Sequence, residues 1–159
     1  MRINSSRFGI LEISEDKIIK MQKPILGFEG LDSYCLIEQE EFLPFMWLQS
    51  LNDPAIAFIV VNPVLFFSDY KIRIHSNEVA DMGVESPENV ETYVIVTIPQ
   101  NPKEMSVNLQ GPILINTENN RAKQLVMVNS EYQVNHLLFA PEDITKEIQE
   151  KRIVDPVGV

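Results

Sequence analysis

The stretch from Ser106 to Val128, SVNLQGPILINTENNRAKQLVMV, decides the reading of this chain. Apolar residues crowd it, yet asparagine stands at 108, 116, 119 and 120, and Gly111-Pro112 interrupts the run. MSVNLQ alternates, with Met105, Val107 and Leu109 on one face and Ser106, Asn108 and Gln110 on the other, which is the period of a strand. Gly111-Pro112 makes a bend, since proline cannot donate to a ladder. ILIN then resumes as a buried run. TENNR is a polar turn tip, where asparagine tolerates left-handed backbone angles, and AKQLVMV returns as the partner strand. The stretch is therefore predicted to be a hairpin, and nothing in it supplies a nucleophile with a base. Asn108 and Asn116 flank the bend; they either satisfy buried backbone groups or face a partner molecule.

Strand signals extend outward in both directions. RFGILEIS and SYCLIEQE read as strands, and KIRIHS alternates, with Ile72 and Ile74 inward and Lys71, Arg73 and His75 outward. AIAFIVV and TYVIVTI are apolar on both faces, which places them in a barrel or under a covering helix. Prolines at 24, 44, 54, 63, 87, 99, 102 and 112 punctuate the runs, so NDP, VNP and IPQNP are connections between short strands. Many short strands with regular turn signals predict an all-β, mainly antiparallel, small barrel-like domain.

Helix is sparse. A short one is predicted over 77–82, with Val79 and Met82 on one face and Gly83 as its stop. SPENVE suits one more turn, with Ser86 as cap and Pro87 at the first helical position. PEDITKEIQEKRIV is predicted to form a C-terminal helix over 142–152: its acids come early, Lys151-Arg152 late, and Ile144 and Ile148 lie one turn apart. The chain thus divides into one β domain over 1–140 and a helical extension over 141–159.

A chain of 159 residues fits one domain and can hold a core without metal or disulfide. Cys35 is the single cysteine, so no internal disulfide is possible and a reducing cytoplasm suits the protein. The N-terminus lacks the apolar region of a signal peptide. No window approaches the roughly 18 apolar residues of a membrane span, so no membrane association is expected. Lys+Arg number 13 and Asp+Glu 23, a net charge of -10, with no basic run. Direct nucleic-acid binding is therefore not expected. The acidity either serves solubility alone or meets a basic protein partner.

Catalytic and metal-binding patterns are missing from the sequence. No CxxC, HExxH, DxDxDG or GxSxG occurs, and the histidines, His75 and His136, stand far from Cys35. Neither a metal nor a cofactor is expected. Glu40-Glu41 and Glu142-Asp143 read as solvated or dipole-matched acids rather than as an acid/base pair. Two stretches stand out as candidate contact surfaces. In FFSDY, Phe66 and Phe67 cannot both face the core from one extended strand. Either the chain turns there, or an aromatic is exposed beside Asp69 and Tyr70, as interface anchors are. The segment 77–91 holds Glu78, Asp81, Glu85, Glu88 and Glu91 and no basic residue, and is either a solvated loop or a contact surface.

The ordered series of these motifs resembles the FliW family of flagellar assembly factors. VNLQGPILIN followed by RAKQLV carries the family's pattern at Asn108, Leu109, Pro112, Ile113, Ile115, Asn116, Arg121 and Gln124, with Gly111 where alanine is commoner. PFMWLQSLNDPAIAFIVVNPVLFFSDY is similar to the family's central block, and the acidic loop and VIVTIP follow in family order, so the resemblance covers residues 7 to 139. Pro24-Ile25-Leu26-Gly27-Phe28 departs from the family's Gly-Leu-Pro-Gly-Phe, and Asn62 stands where aspartate is usual.

The resemblance implies a small β-barrel-like fold without enzymatic activity, and a cytoplasmic partner switch. The protein would bind flagellin and, once flagellin is exported, bind CsrA, a small RNA-binding dimer that represses flagellin translation. If the acidic segment is a contact surface rather than a solvated loop, Glu85, Glu88 and Glu91 would oppose RNA on a bound CsrA, by meeting basic side chains or repelling phosphates. The other class of reading is a small β-barrel enzyme or ligand carrier with an internal pocket, which needs a polar cluster or sizeable cavity inside the barrel.

Overall fold

The structure is a computed structural model that describes residues 1–72, 76–128 and 131–139. Its strands are β1 (Arg2–Ser5), β2 (Gly9–Glu12), β3 (Ile19–Met21), β4 (Ser33–Ile37), β5 (Met46–Ser50), β6 (Ala57–Val61), β7 (Val90–Thr97), β8 (Ser106–Val107), β9 (Ile113–Asn116), β10 (Arg121–Gln124) and β11 (His136–Leu137). β3 to β7 pair antiparallel in chain order, β7 also pairs with β9, and β9 with β10. β10 meets β3 in parallel, Arg121 opposite Lys20 and Ala122 opposite Met21, and this joint closes the ring. The all-β, mainly antiparallel barrel read from the sequence is what the chain forms.

Closure depends on the length of β7. Val90 to Tyr93 pair with β9, while Val94 to Thr97 pair with β6 and β8. One strand therefore belongs both to the barrel and to a side sheet in which β8 is flanked by β7 and β11.

Alternation explains why the central strands are apolar on both faces. Each barrel strand sends a side chain inward: Ile19 and Met21 from β3, Tyr34, Leu48, Val60, Tyr93, Ile113 and Ile115 from β9, and Ala122 form one core cluster. The outward residues are covered as well. Val61, Val94 and Val96 join Tyr70, Val107, Leu109, Met127 and Leu138 in a second cluster, and Leu114 joins Met82 and Leu125 in a third. The cover consists of irregular segments and short 3-10 turns, where a helix was the alternative expected. Prolines and asparagines favour such segments: Asn62 and Asn101 cap the turns that begin at Pro63 and Pro102, accepting from Val64 N and Lys103 N at 3.1 Å each.

Several expectations need correction. The helix over 77–82 is two 3-10 turns, Ser76–Glu78 and Ala80–Met82, although Gly83 does stop the second in the left-handed region. Three polar side chains in a row, Ser76, Asn77 and Glu78, offer no apolar stripe to hold a longer helix. SPENVE holds a single 3-10 turn, Pro87–Asn89, without a capping bond from Ser86. MSVNLQ is a strand only at Ser106–Val107, because Asn108 Oδ1 accepts from Gln110 N and Gly111 N and turns the chain. RFGILEIS is a strand only over Gly9–Glu12, and its partner β1 was not foreseen. Arg73, Ile74 and His75 of KIRIHS, the boundary at 140 and the helix over 142–152 lie outside the described residues.

Candidate partner-binding surface

The aromatic segment turns, which settles the question raised by its paired phenylalanines. A 3-10 turn over Pro63–Leu65 leads into Phe66 in helical backbone geometry, so Phe66 and Phe67 are both half-buried against the second cluster. Phe66 lies 5.9 Å from Phe45, and Phe67 meets His136 edge to face at 5.0 Å. Tyr70 is buried, and its hydroxyl donates to Leu109 O at 2.6 Å. Burial, helped by Tyr132, pushes its ionisation upward. The exposed apolar residues here are Val64 and Leu65, 49% and 62% accessible. Asp69 is exposed as well. The sequence singled out the aromatics and missed this pair; the four apolar residues in a row after Pro63, Val64 to Phe67, were the available signal.

The acidic segment follows directly. Ile72 packs against both the second and the third cluster, so the cores beneath the aromatic and acidic segments meet there. Met82 anchors the acidic segment, fully buried against Leu114 and Leu125, with Val79 and Val84 beside it. Glu85 and Glu88 are exposed. Glu91 is exposed too, but it belongs to β7 and accepts the Tyr93 hydroxyl. Burial first, then this hydrogen bond and the charges of Glu91 and Glu38, push the Tyr93 ionisation upward. Glu91 is thus tied to a buried tyrosine of the barrel, whereas Glu88 accepts from the neighbouring Ser86 Oγ at 3.2 Å.

The two candidate asparagines serve the fold. Asn108 makes the turn described above. Asn116 is 1% exposed; its Nδ2 donates to Met82 O at 3.0 Å and its Oδ1 accepts from Glu118 N at 3.0 Å. A side chain so enclosed is not free to meet a partner, so Asn116 leaves the set of contact residues. Its outward direction from β9 follows from alternation with Ile113 and Ile115, which point into the barrel.

The Asn-rich tip also reaches the acidic segment. Asn119 Nδ2 donates to Met82 O at 3.0 Å, and the Thr117 amide and hydroxyl donate to Asn89 O at 2.8 Å each. Lys123 Nζ donates to Glu78 O at 2.6 Å and lies 3.4 Å from Asp81 Oδ1.

A further residue went unread in the sequence. Gln49 is fully buried; its Oε1 accepts from Ser5 Oγ at 2.7 Å, and its Nε2 donates to the carbonyls of Ser50, Pro54 and Ile56 at 3.0, 3.3 and 3.1 Å. It ties the β1–β2 hairpin to the β5–β6 connection. Among the described residues, no group of three or more His, Cys, Asp or Glu is placed to hold a metal ion, and no helix is long and apolar enough to cross a membrane.

Comparison with known proteins gives a consistent result. A family model described as FliW protein matches residues 2–138. The flagellar assembly factor FliW of Alkaliphilus metalliredigens (strain QYMF) is 36% identical over 159 residues, spanning 99% of this chain and 97% of that protein. The flagellar assembly factor FliW of Caldanaerobacter subterraneus subsp. tengcongensis is 39% identical over 137 residues, 86% of this chain and 91% of that protein. A crystal structure of the flagellar assembly factor FliW superimposes with a TM-score of 0.83 at 31% identity, covering 89% of this chain and 99% of that one.

Proposed function

This chain belongs to the FliW family, and from that premise we propose that it is a flagellar assembly factor that works by protein binding in the cytoplasm. Its partners are flagellin and the translational repressor CsrA. Bound flagellin occupies the protein; when flagellin is exported, the freed protein takes CsrA away from its RNA, and flagellin synthesis resumes.

The observation that carries this reading is the match of one family model along residues 2–138 of a chain that exposes both an apolar turn and an acidic segment. Val64 and Leu65 form an exposed apolar turn, Asp69 is exposed as well, and the acidic segment presents Glu85 and Glu88. Apolar anchors suit a protein partner. The net charge of -10 suits approach to a basic one. The enzyme or carrier reading loses support because the barrel interior holds Ile, Leu, Met and Val side chains with Tyr34 and Tyr93.

Titration calorimetry with purified flagellin and purified CsrA tests the proposal, together with a CsrA–RNA binding assay. Saturable binding to each is expected, with RNA release from CsrA on adding the protein and less release once flagellin is bound. Absence of heat with both partners would sink it.

A further inference from the structure

The β9–β10 tip grips the acidic segment at two backbone carbonyls. At the first, Met82 O accepts the amides of Asn116 and Asn119. At the second, Asn89 O accepts both donors of Thr117, and Asn89 Nδ2 donates in return to Glu118 Oε1 at 2.8 Å. Gly83 leaves the first grip with φ of 66°, and a Cβ there would stand 3.2 Å from Asn119 Nδ2. The backbone is thus pressed close to the amide that holds it.

Between the grips runs a short bow, residues 83–88, which carries Glu85 and Glu88 into solvent. Charges on a wandering loop act singly and lose freedom when a partner arrives, whereas a bow held at both ends has already lost it during folding. Pairwise attraction between exposed charges is weak and screened within about 8 Å at physiological salt. Such charges matter to a partner chiefly when they stand together in fixed places.

We infer that Thr117 and Asn119 are positioning residues for the partner-binding surface: they set the 83–88 bow so that Glu85 and Glu88 face a basic partner as a fixed pair. The inference rests on the reading of this acidic segment as the side that meets CsrA. It gives the asparagine-rich tip a task beyond turning the chain.

Both side chains are exposed, so each can be changed with the core intact. Asn119→Asp keeps the oxygen that accepts Arg121 N at 2.9 Å but cannot donate to Met82 O. It also adds a negative charge, so any loss of affinity for a basic partner cannot come from lost charge. Thr117→Val removes the hydroxyl bond to Asn89 O, and Thr117→Ser keeps it. The measurements are amide hydrogen exchange over 83–89 and affinity for the CsrA dimer. Asn119→Asp and Thr117→Val each remove one bond and leave, respectively, the Asn116 bond to Met82 O and the Thr117 N bond to Asn89 O in place. Each is therefore expected to quicken exchange in the bow about fivefold and to weaken CsrA binding by a similar factor, the scale of one net hydrogen bond. Thr117→Ser should match the parent in both. Quickened exchange with parental affinity overturns the inference, and so does unchanged exchange. A parent that binds no CsrA removes the functional reading and this inference together; a parent that binds CsrA regardless of the tip removes the inference alone.

Discussion

The Tyr70 hydroxyl and the Leu109 carbonyl meet at 2.6 Å, joining the end of the aromatic segment to the bend that follows β8. Both residues are buried. Tyr70 is therefore a strut under the candidate surface, and its removal cannot be read simply as the loss of a partner contact.

Tyr70→Phe is expected to destabilise the domain by about 1–2 kcal/mol, because it leaves Leu109 O buried without this donor. Tyr70→Ala should cost more, about 3–5 kcal/mol, through the cavity it opens. Urea unfolding followed by tryptophan fluorescence would measure both; a Phe variant as stable as the parent would show that the bond is not made in solution.

Leu65→Ser should behave in the opposite way. Leu65 is 62% exposed, so stability should stay within about 0.5 kcal/mol of the parent. If the turn is a contact anchor, affinity for flagellin or CsrA should fall at least about fivefold, as it does when an interface anchor is lost. Unchanged affinity for both partners would take the turn out of the surface.

The acidic residues are expected to divide. Glu85→Gln with Glu88→Gln should reduce antagonism of CsrA–RNA binding without lowering the melting temperature, and added salt should reduce the parent's antagonism in the same direction. Glu91→Gln should alter stability as well, since Glu91 accepts the Tyr93 hydroxyl. The check is CsrA–RNA affinity at saturating protein and two salt concentrations, beside thermal unfolding of each variant. A double variant as antagonistic as the parent at both salts would return the bow to the status of solvated surface.

Gln49→Leu preserves size but withdraws the donor shared by three carbonyls and the acceptor for Ser5. A loss of about 3 kcal/mol is expected, since several buried polar groups lose a partner at once. The β1–β2 hairpin should loosen first, visible as faster exchange at Ser6 N, which donates to Pro54 O at 2.9 Å. Loss of stability without that local change would place the weakness elsewhere.

Alkaline conditions should weaken the fold. Burial pushes Tyr34 from its ordinary value of 10.0 up to about 12, and moves Tyr70 and Tyr93 in the same direction. These groups stay neutral in the folded chain at pH values where the unfolded chain ionises. The contribution of Tyr34 is therefore complete below pH 10 and is lost as pH rises from 10 through about 12, and those of Tyr70 and Tyr93 fall in the same direction as pH climbs above 10. Unfolding midpoints across that range, with phenolate absorbance recorded alongside, would show it; a flat profile would contradict the burial of all three.

The turns and the apolar strands were legible because each rests on a local cause. Asn62-Pro63 and Asn101-Pro102 cap turns with their own side chains, and ILIN is buried whichever way its residues point. β3 and β5 were harder. Ile19–Met21 is too short for alternation to show, and in Met46–Ser50 the buried Gln49 and Ser50 look like surface residues. For the candidate surface, the acidic stretch and the aromatic cluster were visible, but not which members are enclosed. Asn119 could be recognised as a turn former and Asn116 as an amide that satisfies buried backbone or meets a partner; their acceptor, Met82 O, is a backbone group and leaves no mark on residue type. Contacts of that kind depend on tertiary placement, as does the pairing of Lys20 with Arg121.

During synthesis the parallel joint makes the barrel a late event. Lys20 and Met21 emerge long before Arg121 and Ala122 exist to pair with them. At about 5–20 residues per second, the wait lasts roughly 5–20 s. Through that interval one edge of β3 is open to any strand nearby, including the same edge on a neighbouring nascent chain. Lys20 is exposed on that edge and Arg121 on the one that will meet it, so each carries a cation while unpaired. Two copies of either edge repel each other, which discourages polysomal cross-pairing until the proper strand arrives.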